Sequence, residues 1–216
     1  MTFKQMRNPN EKNGYVMLFT MQDKRSLDVL KKEKRFTNKL EYAKEHFDDI
    51  YEFFREKYTY FVNKAETIVD KPDDVKLPIW CSVSYRNCMK PDPDSVAYCI
   101  KVPADKVVYL DGLKWDYVLN NHYVPLDKQD LNDYYKYLKD HRMPNPFLIG
   151  SPDYRYLYPQ EYKKITDSYD RIFDIDNWDI FAVQANIWEF TEDMVIKVFN
   201  YKETIDISED DLEKYL

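Results

Sequence analysis

Apolar positions along this chain follow two rhythms. Tyr15-Val-Met-Leu-Phe-Thr-Met-Gln22 is almost continuously apolar, the pattern of a strand covered on both faces, and is bounded by Gly14 and Asp23. With Asp23 as N-cap, Leu27 and Leu30 predict a short helix over 25–32 that follows the strand directly. From about Leu40 to Val69 the rhythm changes. Leu40, Ala43, Phe47, Ile50, Phe54, Tyr58, Phe61, Ala65 and Ile68 recur at three- and four-residue steps, the stripe of a long helix laid on a core.

Beyond the charged hinge at 70–76 the strand rhythm returns. The β-branched and aromatic residues of 77–84 predict a strand with Pro78 at its start or on an edge. A Pro- and Asp-rich loop at 86–94 separates it from a strand at 96–102, and a turn at 103–106 leads to a short strand at 107–110. Helices are predicted over 111–121, 126–141 and 160–173, with the proline-rich loop 143–159 crossing the surface between the last two. Two strands, 180–190 and 194–201, precede an acidic tail from Ser208 that forms a short helix or a frayed end. Alternating βαβ units are absent, so the expected fold is α+β: one domain over 1–216 with a mostly antiparallel or mixed central sheet flanked by helices. Its N-terminal strand and helices occupy about 15–70 and its β-rich core about 77–205.

Composition narrows the function. A net charge of −7 and a pI near 5.1 argue against bulk nucleic-acid binding, which needs a basic excess. No stretch approaches the roughly 18 apolar residues of a membrane span, and the first residues lack the apolar core of a signal peptide, so a cytoplasmic protein is expected. Cys81, Cys88 and Cys99 lack knuckle spacing, and His46, His122 and His141 form no HxxH or HExxH pattern. No metal site is expected, and the thiols read as reduced and packed.

Gly14, Gly112 and Gly150 are the three glycines of the chain and stand far apart, which excludes both the dinucleotide fingerprint and the P-loop. A nucleotide would therefore be gripped by side chains. Gln22 and Gln184, with Thr20, are polar groups inside apolar strands, where an amide needs a partner. Trp80 and Trp188 offer planar surfaces, Tyr85 and Tyr123 offer hydroxyls beside stacking surfaces, and Arg86 with Lys90 follows a strand as a phosphate clasp would. Asp111 and Glu189 border aromatic clusters and are the acids singled out for chemistry, whereas Arg171 and Asp174 read as a surface ion pair.

In order, Leu18-Phe-Thr-Met-Gln22, Pro78-Ile-Trp80, Lys90-Pro-Asp92, Asp111 with Trp115-Asp-Tyr-Val-Leu-Asn-Asn121, Ser168-Tyr-Asp-Arg-Ile-Phe-Asp174 and Val183-Gln-Ala-Asn-Ile-Trp-Glu189 resemble the marks of a bacterial and phage family catalogued as a domain of unknown function. More distantly, the chain resembles the ADP-ribosyltransferase fold. That resemblance implies NAD as cofactor, Gln184 and Glu189 in the catalytic role, and Thr20, Gln22, Trp80, Tyr85, Arg86 and Trp188 around the cofactor. Asn186 stands where that fold carries its essential Glu, and residues 184, 186 and 188 share a strand face that Glu189 does not. Two functions are expected from this reading: an NAD- or nucleotide-using transferase acting on a protein target in bacterial or phage conflict, or a non-catalytic acidic module that binds or inhibits a protein partner.

Overall fold

The structure is a computed structural model that describes residues 5–41 and 51–216. Its contacts fall into two compact units, Met1–Tyr109 with Asp176–Leu216, and Leu110–Ile175.

The first unit is built on β1 (Tyr15–Asp23), which pairs antiparallel along its whole length with β4 (Ser95–Pro103). On its other side β1 meets β3 (Ile79–Ser82), which pairs with β6 (Val183–Ile187), while β4 meets β8 (Val195–Phe199), all antiparallel. With β5 (Val108–Asp111) the sheet runs in the order β5-β6-β3-β1-β4-β8, confirming the α+β class and the predominantly antiparallel sheet. β2 (Arg35–Phe36) and β7 (Phe190–Thr191) form a separate two-stranded ladder.

The near-continuous apolar run of β1 has a direct cause: both of its faces are covered. Met17 and Phe19 pack on one face with Ala97, Cys99 and Phe199, under Ile205, Ile207, Tyr85 and the C-terminal Tyr215 and Leu216. Val16, Leu18 and Thr20 are buried on the other face. There Tyr98, opposite Thr20, hydrogen-bonds Ser26 of α1 (Ser26–Glu33) at 2.8 Å and touches Phe190, which packs on Phe36.

Several boundaries differ from the sequence expectation for local reasons. Asp23 does not cap α1; its carboxylate accepts from the Arg25 backbone and pairs with the Arg25 guanidinium. β3 is shorter than 77–84, since Pro78 lacks a ladder N–H and Ser84 caps a single 3-10 turn at Tyr85–Asn87. The long N-terminal helix is described as α2 (Tyr51–Ala65), and positions 42–50 fall outside the described residues. The 180–190 strand divides into β6 and β7, which places Glu189 where the chain steps from one ladder to the other.

The second unit is helical. α3 (Gly112–Leu119) and α4 (Lys128–Asp140) begin at the side-chain caps Asp111 and Asp127, so Asp111, singled out for chemistry, is an N-cap accepting from Lys114 N at 3.0 Å. The predicted loop 143–159 contains α5 (Pro146–Ile149), capped by Asn145. α6 (Pro159–Ser168) starts on a proline and tightens into a 3-10 turn at Tyr169–Phe173, where one helix over 160–173 was expected. A Cβ on Gly150 would lie 2.4 Å from Asn121 Cβ, so this close crossing requires glycine.

Candidate functional site

The sheet register separates the residues that the sequence grouped together. Phe19 faces Ser82, Ser82 faces Gln184 and Trp80 faces Asn186, so Trp80, Ser82, Gln184 and Asn186 share the face of Phe19. Thr20 and Gln22 lie on the opposite face, one residue out of step. They are also occupied: Gln22 donates to Thr20 Oγ1 at 2.7 Å, and Thr20 donates to the Trp80 carbonyl at 2.8 Å. Trp188 is buried and donates to the Val69 carbonyl at 2.9 Å. Glu189 is held by Arg35, which also grips Asp74, and hydrogen bonding to Asp74 is the main reason the Arg35 guanidinium is pushed further up. Tyr85 packs edge-on to Phe19, and Arg86 is exposed beside the Tyr85 ring.

Gln184 and Asn186 remain without side-chain hydrogen bonds. Asn186 is 1% exposed and neither amide atom finds a partner. On this face the Trp80 ring contacts Tyr58 and Phe61 of α2 at 5.9 and 5.2 Å, and burial raises the Tyr58 hydroxyl to about 12.

A different constellation gathers charge in the second unit. The polar stripe of α6 carries Gln160, Lys163, Lys164, Asp167 and Ser168, and the following turn adds Arg171. With Tyr123 these residues line an open cleft of about 300 Å³. The cleft wall is locked from behind. Ser168 Oγ donates to the Ile165 carbonyl at 2.6 Å and accepts from Val124 N at 2.9 Å, while Arg171 Nη1 donates to the Val124 carbonyl at 2.6 Å.

Aromatic rings position the cations. Tyr123 stacks on Tyr134 with centroids 4.2 Å apart, and its hydroxyl donates to both Asp130 oxygens at 3.1 and 3.0 Å. Burial raises the Tyr123 hydroxyl, with Arg171 beside it pulling the other way. Arg171 lies 5.0 Å from the Tyr123 centroid and pairs with Asp130 at 3.2 Å, not with Asp174 as its helical spacing suggested. Lys164 Nζ sits 4.6 Å from the Tyr137 ring, 4.8 Å from Tyr134 and 5.8 Å from Tyr123. Beneath, Glu161 is buried and one of its oxygens is unpartnered. It lies near enough to Tyr134 to hold the phenol proton on, but burial is the larger cause of that rise, and no well-formed hydrogen bond joins the two.

The donor inventory decides what the cleft can do. Lys163 is paired with Asp167, but Lys164 has no carboxylate partner among the described residues. Arg171 uses Nη1 alone, leaving Nε and Nη2 unspent, and the Gln160 amide makes no hydrogen bond. Lys164, Arg171 and Gln160 thus line a single cavity with an ammonium, a guanidinium that keeps two nitrogens without a hydrogen bond, and an amide, a donor set suited to an oxyanion. Among the described residues no group of His, Cys, Asp or Glu could hold a metal ion. The sequence reading singled out Tyr123 and Arg171 here and named Ser168 only as the start of a family motif. The usable signal was the spacing Gln160, Lys164, Ser168, Arg171 along α6 and the turn that follows it, but polar residues at that spacing read equally well as a solvated face.

The sequence profile of the family described as a domain of unknown function, DUF3841, matches residues 17–196, and the chain belongs to that family. No curated protein matches the chain, and no solved structure matches it.

Proposed function

We propose that this DUF3841 protein binds a small phosphate-bearing ligand, a nucleotide in the first instance, in the α6 cleft. The observation that carries the reading is the set of unspent donors on Gln160, Lys164 and Arg171 around one cavity. A glycine-poor chain has no backbone cradle for phosphate, and side chains held by a tyrosine stack supply the same field. The cavity stands at the low end of ligand-pocket volumes, which favours a mononucleotide-sized ligand over a polymer. The net charge of −7 agrees with a local anion site and no general affinity for nucleic acid.

An NAD-using transferase of ADP-ribosyltransferase-like fold would need Thr20, Gln22, Trp80, Gln184 and Glu189 in one cleft. The sheet register offers that reading no support. A second reading, docking of a protein partner, is favoured by one observation. Phe147, Tyr154, Tyr156 and Leu157 are all exposed on the segment leading into α6, which is unusual crowding for large apolar side chains.

Calorimetric titration with AMP, ADP-ribose and NAD at low salt tests the proposal. Saturable binding is expected for at least one of them, weakened about tenfold or more in Lys164→Ala, since a charge-assisted hydrogen bond contributes about 1.5–3 kcal/mol. Absence of saturable heat with all three, on protein shown to be folded, would overturn it.

A further inference from the structure

Resting on the anion-binding reading above, we infer that the α6 cleft is built for the terminal phosphate of a monoester and discriminates against phosphodiesters. The argument starts from what the cleft leaves unpaired. Arg171 is anchored through Nη1 to the Val124 carbonyl and Asp130, which turns its remaining edge, Nε and Nη2, into a fixed pair of parallel donors. Lys164 is restrained by the rings of Tyr134 and Tyr137, so its ammonium is placed without being neutralised. Gln160 completes the rim, one turn of α6 before Lys164.

A terminal phosphate presents three equivalent oxygens and about two negative charges above its second pKa of roughly 6. A diester presents two non-bridging oxygens and one charge. Three separate donor groups can each meet a different oxygen of the first, whereas with the second, which also carries about half the charge, two of them must share an oxygen. The cleft also limits how much charge it accepts. Asp167 lies on its wall, already paired with Lys163, and Arg171 is already paired with Asp130, so a second phosphate group would meet the Asp167 carboxylate and no further unpaired cation in the lining. A single terminal phosphate is therefore the class of anion that spends the donors without meeting that repulsion.

AMP and cyclic AMP provide the comparison, because they share base and ribose and differ in whether the phosphate is a monoester or a diester. Both are titrated into the full chain at pH 7.5, beside adenosine, with wild type and the Lys164→Gln and Gln160→Ala variants, which leave the Arg171 anchor intact. AMP is expected to bind at least tenfold more tightly than cyclic AMP, and Lys164→Gln is expected to shrink that ratio several-fold. Equal affinity for AMP and cyclic AMP, with both weakened in Lys164→Gln, overturns the monoester inference and leaves the anion cleft standing. Adenosine binding as well as AMP, or no binding by any of the three, overturns both.

Discussion

Asn186 supplies the sharpest test of the physical reasoning. It lies mid-strand in β6, 1% exposed, opposite Trp80, with neither amide atom hydrogen-bonded. Burying a polar group without a partner costs about 1–3 kcal/mol, so replacing it with an apolar residue that suits a strand removes that cost. Asn186→Val does so with a β-branched side chain of high strand propensity. Burial of the valine adds stabilisation, and the slightly smaller side chain leaves at most a methyl-sized void costing about 1 kcal/mol. The net expectation is a gain of about 1–2 kcal/mol, which for a chain of this length raises Tm by roughly 2–8 °C. Urea unfolding followed by tryptophan fluorescence, paired with calorimetry, measures it. An unchanged or lowered midpoint would refute the reasoning and mean that an ordered water or a bound molecule satisfies the amide.

Thr20→Val removes the donor to the Trp80 carbonyl and the acceptor for Gln22 while keeping the shape, so stability should fall by about 1–3 kcal/mol in the same unfolding assay. Burial lowers the His122 pKa, so the unfolded chain binds more protons below about 6.5. Stability from this group is present above that pH and is lost as pH falls through the depressed folded value; between pH 7.5 and 5.5 His122→Asn should therefore lose less stability than wild type, and identical pH profiles would count against the assignment. Burial raises the Cys88 thiol to about 11 and Cys99 to about 12, and raises Cys81 further, so a thiol reagent at pH 8 should modify none of them rapidly in the folded protein and all of them in denaturant. Rapid native labelling of Cys81 or Cys99 would show the sheet to be open.

Some of this molecule follows from the order of its residues alone. The strands centred on residues 19, 99 and 185 were legible because their apolar runs are set by burial, and strand propensity does not depend on knowing the partner, although the end of the last one did. The helices beginning at Asp111 and Asp127 were legible because an aspartate cap satisfies N–H groups only three residues away. The α+β class followed from the succession of these elements.

The site was a different matter. Thr20 and Trp80 looked like neighbours in one pocket, but the pairing of Phe19 with Ser82 sends Thr20 and Trp80 to opposite faces. A strand's sequence records which residues alternate and is silent about the register that assigns each set to a face, and a shift of one residue exchanges them. Glu189 stood out as an acid for chemistry beside an aromatic cluster, yet Arg35, distant in sequence, claims it. Conversely, Arg171 read as half of a surface ion pair with Asp174, and Lys164 carried no reading of its own, until folding brought Tyr123, Tyr134 and Tyr137 beside Lys164 and Tyr123 beside Arg171. Propensity, capping and burial patterns are local and belong to the sequence. Which side chains converge depends on distances between segments remote in the chain, and only the tertiary structure decided those.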